Sequence, residues 1–498
     1  MPEGRANAAW WQMAGSFAAG FLLAAVSVVE ILPHGLPGTA NTGAPVTQGT
    51  TGAVADASSG PGDQAAAGST GGGAVAGAAP GAARAAAPGA AVAHSGLACD
   101  RNHNGGATDT GVSASQISLA TTEVQSGIGA AFLSGVKYAM EAEKQLVNNA
   151  GGICGRKLAI QYVDDAWSAT DGAIDLGNFF HQGVFAIPVG PSSEGLRVEI
   201  DNGDVDRFGV PVVGTDGMLI DQYKDPWVWP VAASTASSAR IMAADAYKRG
   251  ARHFSIVYDK NYRFGVEAAD AYDAEVKRLT GSDVAGYDPQ HTGCAGSFCG
   301  VTAGQTSYGN EVKTLGGNTG DFMVMFLEPS TALTWMQTPA VPTASSVPDG
   351  IGLGQPLFTR DFAVNCQDAC DGMQVWTGYK PDIEAYATEA AVRQYVDDLH
   401  GVQPDADEFN AFSEGGFIGM QLLVAALQKV GPDLTRANLR AALDSLDLDG
   451  SLTFQKALSY RPGNHFANTT MQGFTIEYKG TFGGWRAAST VSDPSPRG

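Results

Sequence analysis

Ile117-Ser-Leu-Ala-Thr-Thr-Glu123, Asn149-Ala-Gly-Gly-Ile-Cys-Gly-Arg-Lys157 and Leu158-Ala-Ile-Gln-Tyr-Val-Asp-Asp165 decide the fold of this chain. The first and third are apolar runs of strand length. Between them, Phe132–Asn149 carries Phe132, Val136, Ala139 and Met140 at helical spacing. A glycine-rich turn returns the chain to the second strand, which ends in paired acids. Strand, helix, strand is a crossover unit of a parallel sheet, and its strand ends and loops open on one edge.

The alternation continues outward. Strand-like runs fall at Phe185–Val189, Val210–Val213, Phe254–Tyr258 and Phe322–Leu327. Helical stretches fall at Thr170–Gln182, Ser234–Arg249, Val266–Leu279 and Tyr308–Leu315. Repetition of this order predicts doubly wound α/β sheets in series, hence two lobes. Pro289–Tyr308 and Pro339–Gln355, rich in turn formers, read as surface loops inserted in the second lobe.

Ahead of this body, Met13–Val29 is an uncharged apolar run preceded by Trp10 and Trp11. With Ile31 and Leu32 it approaches the length of a membrane span. Arg5 precedes it and no Lys or Arg follows before Arg84, which places the N-terminus inside. A cleaved signal is the competing reading, because Ala24-Ala25-Val26-Ser27 offers small residues for cleavage. Residues 1–32 are therefore expected to be an anchor or signal helix. Residues 33–98, dominated by Ala, Gly, Ser, Thr and Pro, are expected to be a flexible tether reaching on the order of 45 Å.

The 498-residue chain carries a formal net charge of -21, nearly all of it beyond Cys99. Such an acidic body repels phosphate backbones, so nucleic acid is not an expected partner. Asp100-Arg-Asn-His-Asn-Gly105 matches half of an EF-hand loop, but Gly111 stands where calcium needs a bidentate Glu. No metal or other cofactor is expected. Six cysteines lack zinc or redox spacing, and fifteen pairings are open in principle. Local spacing favours Cys294 with Cys299 and Cys366 with Cys370, leaving Cys99 for Cys154. Reduced, buried thiols are the alternative.

From Val112 to Arg486 the wording of the chain resembles the type I substrate-binding proteins of branched-chain amino-acid ABC importers. The resemblance implies two doubly wound α/β lobes joined by a three-segment hinge. Lobe one would hold 99–231 and 380–448, lobe two 232–378 and 453–486, and 487–498 would be a tail. It implies a protein on the extracytoplasmic face of the membrane, or secreted if the leader is cleaved. Such a protein delivers an amino acid, or a related amide or acid, to importer permease subunits. A membrane-tethered sensing domain of the same fold is the alternative.

The resemblance also nominates contacts. Gly190-Pro-Ser-Ser-Glu-Gly195 matches the family loop that holds a ligand carboxylate, through Ser192 and Ser193, and such a helix start suits an anion. Gly214-Thr-Asp-Gly217 offers Thr215. Asp259-Lys-Asn-Tyr-Arg-Phe-Gly265 offers Phe264 or Tyr262 as an aromatic cover, and Glu328 follows the next strand. Phe358-Thr-Arg-Asp361 matches the loop whose acid, here Asp361, pairs a ligand ammonium. Phe412-Ser-Glu414 opens a long helix and offers Phe412. An enzyme is not expected: Gly190–Glu194 misses the Gly-x-Ser-x-Gly elbow, and the eight histidines are scattered. No phosphate-binding glycine motif follows a strand.

Overall fold

In the computed structural model, which describes residues 99–496, β1 (Gln116–Glu123) and β2 (Lys157–Asp164) pair in parallel along their whole length. The expected anchor 1–32 and tether 33–98 lie outside the described residues. Among the described residues no helix is long and apolar enough to cross a membrane. The crossover helix is broken in two, Ala130–Leu133 and Val136–Asn149. The break falls where Gly135 packs on Ser413, whose Oγ would lie 2.2 Å from a Cβ there. Asn148 extends the β1–β2 layer, since its side chain accepts from Leu158 N (2.8 Å) and donates to Leu158 O (2.9 Å).

The first sheet continues through β3 (Ile187–Pro188), β4 (Val212–Thr215) and β5 (Val228–Pro230), all parallel, with Leu119 bridging to Ala186 beside β3. Strand alternation sends neighbours to opposite faces. Leu119 and Val213 join the core under helices Val136–Asn149 and Ala411–Val430, whereas Ala120 and Val212 meet Leu176, Phe179 and Leu196 of the opposite layer.

The second sheet is mixed. Its strands are β6 (Phe254–Asp259), β7 (Cys294–Ala295), β8 (Phe298–Val301), β9 (Phe322–Phe326), β10 (Ile351–Leu353) and β11 (Gln374–Thr377). After the small hairpin of β12 (Asp447–Asp449) and β13 (Ala457–Ser459), it gains β14 (Thr470–Tyr478) and β15 (Phe482–Ser492). The order is β15-β14-β11-β10-β9-β6-β8-β7, with β14, β15 and β7 antiparallel to their neighbours. Ile256, Tyr258, Val324 and Phe326 face Met242 and Tyr272 of two helices, Thr235–Arg249 and Arg263–Thr280. Val257, Met323 and Met325 face the other core.

Three sequence expectations change here. Pro289–Tyr308 and Pro339–Gln355 are not merely surface loops, because each delivers a buried strand to this sheet, β8 beside the edge strand β7 and β10 in the middle. Both strands are too short to show a period. The tail expected at 487–498 is instead ordered sheet through Ser492, followed by a buried anchor. Arg240 Nε donates to Asp493 Oδ1 (3.0 Å) and its Nη2 to Oδ2 (2.7 Å), with Ser237 Oγ adding 2.5 Å. The three disulfides are Cys99–Cys154, Cys294–Cys299 and Cys366–Cys370, the pairings that spacing favours.

The chain passes between the sheets three times, and the passages are bonded to each other. Tyr460 donates its hydroxyl to Pro230 O (2.8 Å), Asn468 Nδ2 donates to Val231 O (3.2 Å), and Tyr379 bridges to Thr453. Helices Ala390–Val402, Ala411–Val430 and Arg436–Leu443, although late in the chain, cover the first sheet and its crossover helix. Gly214 and Gly419 make this possible. A Cβ on Gly214, whose φ is +85°, would lie 2.3 Å from Gly419 Cα.

Candidate functional site

Strand ends from both sheets meet around Phe412 and Asp216. Asn410 caps helix Ala411–Val430 by accepting from Phe412 N (2.9 Å) and Ser413 N (3.1 Å), which aims the Phe412 ring inward. Phe412 and Asp216 both line two adjoining cavities. One, with about 10 Å³ of enclosed space, adds Met218, Thr235, Ser238, Phe326, Gln355 and Met471 among others. The other, also with about 10 Å³ of enclosed space, adds Val136, Val189, Pro191, Gly214 and Tyr379. No Lys, Arg or His lines either.

Asp216 dominates the electrostatics. Its Oδ1 accepts from Gln222 Nε2 (3.0 Å) and Met218 N (3.2 Å), while Oδ2 makes no hydrogen bond of ordinary geometry, although the Ser193 hydroxyl lies near the carboxyl. Burial pushes its carboxyl up to about 7, against the opposing pull of Gln222, Met218 N and the Ser193 hydroxyl. Glu414, on the same helix as Phe412, is held well above its ordinary range by burial. Beside β2, burial raises Asp165 to about 6.

The rim is aromatic. After β2, Ala166 (φ +54°) and Trp167 (φ +61°) adopt the left-handed region that non-glycine residues rarely occupy. This turn carries the Trp167 ring across to the second sheet's side. There it stacks on Tyr262 at 4.5 Å and lies 5.9 Å from Phe264, while Phe132 meets it edge-on at 5.2 Å from its own side. Two hydrogen bonds also cross: Arg263 N donates to Glu194 Oε1 (2.9 Å) and Ile220 N to Glu267 Oε2 (2.9 Å).

The residues nominated by sequence divide. Phe412 lines both cavities, and Tyr262 and Phe264 form the aromatic rim. Ser192 and Ser193 are fully buried beside Pro191, and Ser192 Oγ lies near the Asp165 carboxyl without a hydrogen bond of ordinary geometry. Thr215 lies between the lining residues Gly214 and Asp216, but its hydroxyl donates to Gln222 Oε1. Glu328 caps its own helix, accepting from Ser330 N (2.8 Å), Ser330 Oγ (2.7 Å) and Thr331 N, so its carboxylate is taken up by that helix start, and it lines neither cavity. Asp361 is exposed in the first turn of helix Arg360–Cys366 and is not brought to either cavity. Its neighbour Arg360 pairs with Glu408.

Sequence reasoning passed over Asp216, Trp167, Gln355 and Tyr379. Asp216 had a visible signal as the acid beside Thr215 in a strand-exit loop, and Trp167 follows the paired acids directly.

Two α/β layers wound around a shared cleft, with three passages between them, define the architecture of a hinged solute-binding protein. The chain belongs to the periplasmic binding protein family, type I, whose sequence profile matches residues 116–481. Among solved structures it is similar to a leucine-binding protein from Thermotoga maritima (TM-score 0.60, 13% identity, 76% of this chain and 99% of that one). It is also similar to a fatty acid ABC transporter substrate-binding protein from Thermomonospora curvata (TM-score 0.61, 16% identity, 78% and 95%). A third is an ABC-transporter solute-binding protein from R. palustris in complex with benzoate (TM-score 0.59, 15% identity, 76% and 98%). At these identities the likeness carries the fold alone. Among curated protein sequences, none matches the chain.

Proposed function

We propose that this protein is an extracytoplasmic solute-binding component of an ABC importer. It closes two lobes, 99–231 with 380–448 and 232–378 with 453–486, on a small polar organic solute and presents it to the permease. The observation that carries this reading is the cleft itself, where polar atoms without a hydrogen bond of ordinary geometry and apolar walls converge from both sheets around Asp216 and Phe412. The cavities are small for an organic ligand, so entry requires the lobes to part at the Trp167–Tyr262 rim and close again. Hinge closure of this kind couples binding to shape. Ser192, Ser193, Phe412, Tyr262 and Phe264 are the proposed contacts retained from the sequence, joined by Asp216 and Gln355. The reading includes no catalytic step. Segment 1–32 serves either as anchor or as cleaved signal.

The test is a thermal-shift screen of dialysed protein against amino acids, amides, amines, small aromatic acids and sugars, followed by small-angle scattering with each stabilising compound. A stabilising solute should reduce the radius of gyration. Stabilisation with no compaction by any compound would sink the closure reading.

A further inference from the structure

We propose that the cleft is built for a small organic cation: a protonated amine on an apolar body, without a carboxylate of its own. This rests on the solute-binding reading and names the ligand class for the same cleft. Three buried side chains on the wall of the cavity that holds Gln355 have atoms without a hydrogen bond of ordinary geometry: Asp216 Oδ2, near which only the Ser193 hydroxyl exerts a pull, Gln355 Oε1 and Ser238 Oγ. Asp216 and Gln355 are each 8% exposed and Ser238 is 2%. Gln355 Oε1 only accepts, the ionised Asp216 carboxylate only accepts, and the Ser238 hydroxyl can accept; a bound cation favours that ionised form of Asp216. Buried acceptors without donors are unfavourable, so the bound species that relieves them is one rich in N–H. An ammonium supplies three donors and a charge opposite to Asp216.

The rest of the wall fits the remainder of such a molecule. Met218, Phe326, Pro356, Phe412 and Met471 surround the polar atoms with apolar surface. Because Asp216 and Phe412 border both cavities, one molecule can set its nitrogen on Asp216 and lay its body along Phe412.

A carboxylate has no counterpart. No cationic side chain lines either cavity. The serine-loop helix Ser193–Asp201, the natural place for an anion, already holds Glu194 in its first turn, and Glu194 interacts electrostatically with Asp216. A further buried negative charge there would be repelled by both acids and paired by neither.

Matched triplets test this with the intact protein by calorimetry and thermal shift: isoamylamine, leucine and isocaproate; phenethylamine, phenylalanine and hydrocinnamate. Each triplet keeps one body and presents the amine alone, both groups, or the acid alone. The amines should bind and stabilise at least tenfold better than the amino acids, and the acids should be silent. Asp216→Asn, which keeps the Oδ1 acceptor, should weaken amine binding about thirtyfold or more. Should that variant fold poorly, Gln355→Leu removes an acceptor that supports nothing in the protein and should weaken it severalfold. Binding confined to amino acids or acids would overturn the cation assignment and leave the solute-binding reading intact. Silence from both amines would overturn it too, and the wider panel with scattering then decides the solute-binding reading separately.

Discussion

Replacing Trp167 with alanine separates the energy of folding from the energy of closing. The Trp167 ring is 3% exposed and meets two sets of partners. Phe132, at 5.2 Å, comes from the same side of the cleft and keeps its contact whether the lobes are open or shut. Tyr262 at 4.5 Å and Phe264 at 5.9 Å come from the other side, so under the proposed closure they part from Trp167 when the lobes open. Each aromatic pair contributes about 0.5–1.5 kcal/mol beyond its buried area. Losing two pairs therefore disfavours closure by about 1–3 kcal/mol. Ligand can shift the lobes only by its differential affinity for the two states, so the apparent affinity of a stabilising solute should fall roughly five- to hundredfold. Phe179→Leu, in the fully buried core on the far face of the first sheet, is the control: it should reduce global stability with little change in affinity. Calorimetry measures affinity and urea denaturation measures stability for both variants. If Trp167→Ala lowers stability yet leaves affinity unchanged, the rim is not part of the closing interface.

Three further outcomes follow from the structure. Arg240→Ala strands the fully buried Asp493 carboxylate and should reduce stability by about 3–5 kcal/mol in denaturant unfolding, while Arg240→Met with Asp493→Leu should recover most of it; a loss below about 1 kcal/mol would refute the buried-pair account. Asp216, Glu143 and Glu199, raised to about 7, and Asp165, Asp273 and Asp407, raised to about 6, hold protons in the folded state that the unfolded chain, with carboxyls near 4, releases. Their contribution is full below about pH 4 and is lost as pH rises through 6–7, so the urea midpoint should be higher at pH 5.5 than at pH 8, and a midpoint that climbs with pH would contradict these shifts. Gly214→Ala places a Cβ 2.3 Å from Gly419 Cα and should displace helix Ala411–Val430, weakening solute binding tenfold or more along with stability; near wild-type binding would show that this approach does not position Phe412.

Most of the architecture was legible because its elements are long and patterned. Gln116–Asp164 reads as strand, helix, strand, and helices such as Thr235–Arg249 fall within a residue or two of their apolar periodicity. β8 and β10 were hidden because four and three residues carry no period, and their burial comes from neighbours distant in sequence. The site was legible in part. Phe412 and the Tyr262–Phe264 turn could be found from strand ends and motif position. Glu328 and Asp361 could not be sorted from true lining residues, because a capping carboxylate, an exposed one and a buried unpaired one look alike in sequence. Asp216 differs from them only in what surrounds it, and that is a property of three dimensions.

The late helices Ala390–Leu443 that cover the first sheet impose an order on synthesis. The strands they cover end at Pro230, yet the apolar face of that layer stays uncovered until some two hundred further residues have been made. A chain emerging from the ribosome cannot finish either half early, so it stays open while most of its length is still being translated. Fragments ending at residue 389 should accordingly show no cooperative unfolding transition, whereas the chain completed through Asp493 should show one.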